Sequence, residues 1–173
     1  MNGLLLSVPF FAIRFVLLSA LSRDAVRRAA HFAPMRGAER AAYYIYQAAT
    51  VGIFLCLAFL TVRASPSPLF CLGCICYILG LCLCAAAIVS FSSPDDAGMN
   101  TRDVYRFSRN PMYVAYFACF IGMALLTCSL VLLGIVSIFQ ISAHWIVLAE
   151  ERWCLQRFGG AYEQYMQSVR RYI

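Results

Sequence analysis

Lysine is absent from this chain: all fourteen basic residues are arginine. Charge of either sign is scarce, 13% of residues against about 25% in an ordinary soluble domain. Histidine occurs only twice. No block of five like charges, internal repeat or low-complexity stretch is present, so no second domain or linker is marked. The net charge of +6 is too dispersed to read as a nucleic-acid surface. What fills the sequence is apolar: 62% hydrophobic residues and a mean hydropathy of +0.75. A soluble core built from 173 residues cannot hide that much apolar surface. Lipid is therefore the expected solvent, and residues 1–173 read as one integral-membrane domain.

Cysteine is plentiful, with nine residues. Cys71, Cys74 and Cys76 have a metal-like spacing. They lie inside an apolar run without neighbouring His, Asp or Glu, so packing residues are expected and no metal site.

Hydropathy marks spans near residues 3–21, 41–62 and 69–91, then a polar loop to residue 109 and an apolar run over 111–148. The first lacks a basic leader and carries Arg14 in its core, so it reads as a retained helix kinked at Pro9 rather than a signal peptide. As one helix the last run would be about 57 Å long, against a hydrocarbon core of about 30 Å. It must fold back, and Thr127, Cys128 and Ser129 are the expected turn. The fold class predicted is all-α: a polytopic membrane bundle of about five transmembrane helices with a cytosolic, amphipathic C-terminal segment. With five spans, all arginines but Arg14 and Arg63 fall on one side. The positive-inside rule then places the N-terminus outside and the C-terminus in the cytoplasm. The Arg-only usage suggests a GC-rich genome and a bacterial inner membrane, or endoplasmic reticulum in a eukaryote.

Chemistry concentrates at two places on the cytosolic side. In RFSRNPMYVAYF, Asn110 is a favoured N-cap and Pro111 a favoured first helical residue. The helix start has unpaired N–H groups and a positive dipole end that suit a carboxylate or phosphate, with Arg106 and Arg109 adding charge. The second place is Glu150–Glu151, where the last span leaves the lipid. Adjacent helical side chains point about 100° apart, so the two acids cannot share one partner. One is expected to face the bundle and the other to take an arginine. Beyond them an aromatic, basic tail is interrupted at Gly159–Gly160. Arg14 reads either as an arginine packed among helices or as a contact to an anionic headgroup or substrate. His144 is a packing histidine or a base, and His31 a solvated loop residue.

The ordered set NPMY (Asn110 to Tyr113), EE (Glu150–Glu151), FGGAYEQY (Phe158 to Tyr165) and VRR (Val169 to Arg171) resembles the C-terminal signature of integral-membrane methyltransferases related to isoprenylcysteine carboxyl methyltransferase and phospholipid N-methyltransferase. The resemblance covers about the last 75 residues, a cofactor half near 97–173. It implies binding of S-adenosyl-L-methionine from the cytosol and methyl transfer to a lipophilic acceptor or lipid headgroup at the membrane face. Carried over residue by residue, the cofactor-binding positions are Tyr105, Asn110, Pro111, Met112, Tyr113, Gly122, Glu150 and Glu151. Membrane lipid is the implied partner.

The departures from the family pattern are Ile146, where relatives acting on prenylcysteine carboxylates carry an arginine, Asp103 in place of a glycine, and Ala115 in place of another. They keep open an alternative, a non-catalytic scaffold or partner subunit with the same fold. Sterol reductases also resemble this region but are much longer.

Overall fold

The computed structural model describes residues 1–29 and 33–173; His31 lies outside the described residues. Among the described residues seven helices follow one another: α1 (Gly3–Leu21), α2 (Arg23–Ala29), α3 (Ala38–Phe59), α4 (Pro68–Ser92), α5 (Pro111–Leu126), α6 (Leu130–Phe158) and α7 (Gly160–Ser168). Among the described residues there is no strand, only one isolated bridge between Asn2 and Thr61. Helices α1, α3, α4 and α6 are each long and apolar enough to cross a membrane, and α5 is a shorter apolar helix. Their outer faces show why lipid is needed: Phe15, Leu55, Phe59, Leu79, Leu130 and Ile141 are all exposed.

The punctuation follows local chemistry. Ser67 caps α4, its hydroxyl accepting from the Phe70 N–H at 3.2 Å, with Pro68 at the first turn. The hairpin turn falls at Thr127–Ser129. Thr127 Oγ1 donates back to the Met123 carbonyl at 2.8 Å, Cys128 takes φ 50°, and Ser129 Oγ accepts from the Leu132 N–H at 3.2 Å. Gly159, at φ 55°, ends α6 where the double glycine predicted a break. The last span runs further than hydropathy indicated. Instead of ending near residue 148 it continues as helix to Phe158, because the polar residues after Ala149 are good helix formers with partners on neighbouring segments. The irregularity expected at Pro9 lies just after it, as a π-helical stretch over Ala12–Leu17.

Packing is set by glycine and aromatic residues. α4 and α5 approach so closely that a Cβ on Gly80 would lie 2.5 Å from the Cys119 backbone nitrogen. A Cβ on Gly122 would lie 2.5 Å from that of Tyr77. Small residues give membrane helices the close backbone contact that apolar lipid cannot drive. Gly80→Val is accordingly expected to destabilise the bundle by about 1–3 kcal/mol, the usual range for overpacking, measured as reversible unfolding in mixed micelles. An unchanged unfolding midpoint would mean that the two helices separate freely.

Behind this seam, Phe10, Phe120 and Phe139 form an edge-packed stack, with Phe120 centroids 5.2 Å from Phe10 and 5.1 Å from Phe139. The end of the bundle away from the polar loop is tied by backbone bonds: Gly3 N–H to the Leu60 carbonyl (2.7 Å) and Arg63 N–H to the Leu126 carbonyl (2.9 Å). At the opposite end the helices diverge around a cavity.

Candidate functional site

The cavity holds about 530 Å³, within the usual range for a small-molecule site of about 300–1,000 Å³. Its wall is built from α1–α2, Tyr46 of α3, Phe91 at the end of α4, the loop before α5, the start of α5, and the end of α6 with α7.

The loop is shaped by short-range polar contacts. Asp95 Oδ1 accepts from the Ala97 and Met99 N–H groups (3.1 and 2.8 Å), and Gly98 takes φ 84°. This folds 95–99 into a tight turn and leaves Asn100 on the cavity wall. Asp103 has φ 51°. A glycine suits that left-handed conformation, and Asp is among the few other residues that tolerate it. Ser90 Oγ donates to its carboxylate at 3.1 Å. The departure from glycine seen in the sequence therefore leaves the backbone path intact. The 3-10 turn Asp103–Arg106 that follows buries Tyr105. Tyr165 donates its hydroxyl to the Tyr105 carbonyl at 2.6 Å. Burial pushes both phenols well above their usual range, so they act as neutral groups.

The two acids divide as helical geometry requires. Glu151 is buried and doubly paired, with Arg109 Nη2 and Arg171 Nε each at 3.0 Å. Glu150 turns into the cavity and accepts from the Tyr113 hydroxyl at 3.0 Å.

Asn110 differs from its expected role. It stands at the N-cap position of α5 but makes no side-chain capping bond. Its Nδ2 donates instead to Glu151 Oε1 (3.3 Å) and to the Arg171 carbonyl (3.1 Å). The contrast with Ser67 is informative: one serine–proline start is capped, while this asparagine–proline start is diverted to hold the C-terminal tail. The tail is fastened further by Arg109 N–H to the Arg170 carbonyl (3.0 Å), Arg109 Nη1 to the Met166 carbonyl (3.0 Å) and His144 Nδ1 with the Tyr172 hydroxyl (2.8 Å). His144 is thereby a packing histidine outside the cavity lining.

Of the residues expected from sequence, Tyr105, Asn110, Met112, Tyr113, Glu150 and Glu151 all lie on the cavity wall. Pro111 and Gly122 do not. Pro111 is fully buried beside a small separate crevice. Gly122 packs on Tyr77 of α4, which makes it a helix-contact glycine. Ile146 is wholly buried.

Sequence reasoning did not name Asn100, Arg28 or Trp153 as site residues. Arg28 reaches the Phe91 carbonyl at 2.8 Å and lies over its ring, a contact across 63 residues with no local signal. The Arg157 guanidinium lies 5.1 and 5.5 Å from the Trp153 and Phe158 ring centroids; their helical spacing was the available hint. Among the described residues, three buried polar atoms of the wall have no partner: Arg14 Nη1, Asn100 Oδ1 and Arg109 Nε. Such atoms are costly unless a ligand or water meets them. The Glu150 carboxylate, Arg109 Nε, Asn100 Oδ1 and the aromatic faces make a set suited to a zwitterionic ligand with a flat ring.

A family model described as phospholipid methyltransferase matches residues 68–161, more than half of the chain. The match starts well before residue 97, taking in all of α4, and stops short of Tyr165 and the arginine pair at 170–171. No curated protein and no solved structure matches the chain.

Proposed function

The chain belongs to the phospholipid methyltransferase family, and from that premise we propose that it binds S-adenosylmethionine in the cavity and transfers its methyl group to a lipophilic acceptor or lipid headgroup. The observation that carries the reading is the convergence of Tyr105, Asn110, Tyr113 and Glu150 on one cavity whose buried Asn100 Oδ1 and Arg109 Nε lack partners among the described residues.

The residues present fit the cofactor. Glu150 would take its ammonium group by a charge-assisted bond. The uncapped start of α5, together with Arg109 Nε, would take its carboxylate. Asn100 and the rings of Tyr105 and Trp153 would receive the nucleoside. Glu151 serves the site indirectly, by fixing Arg109 and Asn110. The cofactor supplies an electrophilic methyl carbon, whose bond to sulfur breaks with the electron pair left on sulfur as the acceptor's lone pair forms the new bond. What the protein contributes is alignment and exclusion of water.

The reading extends to topology. α5 has 16 residues, about 24 Å of helix, less than a hydrocarbon core of about 30 Å. We take it as a fifth, short crossing, because its far end is tied to Arg63 and its near end opens on the cavity. Its start is then recessed below the membrane surface, within reach of both cytosol and lipid. The arginine distribution supports a cytosolic cavity and an outside N-terminus, and residues 1–173 act as one domain.

The test is calorimetry with S-adenosylmethionine and S-adenosylhomocysteine on protein in lipid nanodiscs, followed by transfer of a labelled methyl group to a panel of lipids. One-to-one binding and one labelled lipid class are expected. Absence of binding in both detergent and lipid would leave the non-catalytic reading in its place.

A further inference from the structure

The first span is least regular in its middle. Residues Ala12–Leu17 form a π-helical stretch inside an otherwise continuous run of turns. Such bulges are frequent at functional sites. The charged residue within this one is Arg14, which lines the cavity.

Its surroundings do not satisfy it. The guanidinium sits 5.6 Å from the Tyr116 ring centroid, and Nη1 is buried with no hydrogen-bond partner among the described residues. Among the described residues no carboxylate forms an ion pair with it: Glu39 pairs with Arg152 and Glu151 with Arg109 and Arg171, while Glu150, whose Oε1 takes the Tyr113 hydroxyl, feels the Arg14 charge only through space. Arg14 is also deep. It precedes the end of α1 at Leu21 by seven residues, about 10 Å of helix, whereas Arg28 and Arg157 belong to segments at the cavity mouth. The turn that carries it borders lipid, with Phe15 62% and Val16 66% exposed. A polar donor is thus held at acyl-chain depth, in a cavity, beside a lipid-facing surface.

We propose that Arg14 binds the phosphodiester of a membrane lipid acceptor and so selects acceptors whose nucleophile lies a few bonds from a phosphate. The proposal rests on the methyl-transfer reading for its catalytic consequence, though not for binding itself. The planar fork of a guanidinium matches two phosphate oxygens. Tyr116 supports the plane while Nη1 remains unpaired. The cofactor's carboxylate has nearer donors at the water-facing end, in Arg109 Nε and the start of α5. That leaves the deep arginine for an anion that arrives from the bilayer.

The experiment compares the full chain with Arg14→Gln and Arg14→Lys in nanodiscs. Native mass spectrometry of protein washed in detergent should show a retained phospholipid on the natural protein. Retention should fall at least tenfold in Arg14→Gln and partly in Arg14→Lys, and inorganic phosphate should not compete. Affinity for S-adenosylhomocysteine should stay within twofold in both variants. KM for an aminophospholipid should rise at least tenfold, with KM for a phosphate-free long-chain amine unchanged. Equal lipid retention by the natural protein and Arg14→Gln overturns the proposal, as does displacement by inorganic phosphate. A parallel loss of S-adenosylhomocysteine binding overturns it in favour of a cofactor contact. If the natural protein binds no cofactor, the methyltransferase reading falls, and lipid retention still decides the role of Arg14.

Discussion

Glu150→Ala is expected to weaken binding of S-adenosylmethionine and S-adenosylhomocysteine by about 30-fold or more while leaving the helical bundle intact. Glu150 is a cavity carboxylate whose one hydrogen bond among the described residues is the 3.0 Å contact from Tyr113. Removing it costs the protein little, but it strips the cofactor's ammonium of its counter-ion. Truncating one member of an enclosed, hydrogen-bonded charge pair costs about 2–5 kcal/mol, and 2 kcal/mol is about 30-fold. Tyr113→Phe should act in the same direction and less, about tenfold, since it only frees the carboxylate from its orienting donor. Calorimetry on the purified variants reads both. Native affinity in Glu150→Ala would remove Glu150 from the cofactor site and with it the central contact of the proposal.

Glu151→Ala is expected to do the opposite, damaging the structure first. Its carboxylate is 5% exposed and neutralises both Arg109, itself 7% exposed, and Arg171. It also receives the Asn110 amide. Deleting it leaves a buried cation uncompensated, which costs about 3–5 kcal/mol. The C-terminal tail should then detach, because Arg171 loses its anion and Asn110 its orienting partner. Limited trypsin digestion should cut at Arg170 and Arg171 in the variant well before it does so in the natural protein, and unfolding in mixed micelles should show the lost stability. Glu151→Gln, which keeps an acceptor without the charge, should fall between the two. Unchanged tail protection in Glu151→Ala would mean that the tail is held by α7 alone. The pair of substitutions also separates binding from folding, since the two acids are neighbours in sequence and differ only in the face of α6 they occupy.

That difference shows where sequence reading stopped. The acid pair, and the rule that neighbours on a helix face apart, were both legible beforehand. Which acid faced the cavity was not, because it depends on the rotation of α6 against α5, and many distant side chains set that rotation. Asn110 shows the same limit. Its N-cap position follows from the Asn–Pro start, but its amide is taken by Glu151 and the Arg171 carbonyl, 41 and 61 residues away. Gly122 was visible as a glycine of consequence. Only its 2.5 Å Cβ approach to Tyr77 assigns it to helix packing rather than the cavity. Asp103 runs the other way. In sequence it was a departure from glycine, and its φ of 51° places it in a backbone region that glycine adopts freely.

By itself the sequence determined the features that local chemistry controls. These are the apolar helices and the turn at Thr127–Ser129. They include the break at Gly159–Gly160 and the ordered motifs whose family the match over residues 68–161 bears out. Hydrophobic run length, capping residues and glycine act within a few residues, so one dimension suffices to read them. The tertiary structure alone decided that Arg14, Asn100, Tyr113 and Glu150, spread over 137 positions of chain, share one cavity of about 530 Å³. It also decided that Glu151, though on the cavity wall, spends its carboxylate on Arg109 and Arg171. Those outcomes depend on how closely α4 and α5 approach and how the α1 bulge turns its arginine, and such distances exist only once the helices have packed.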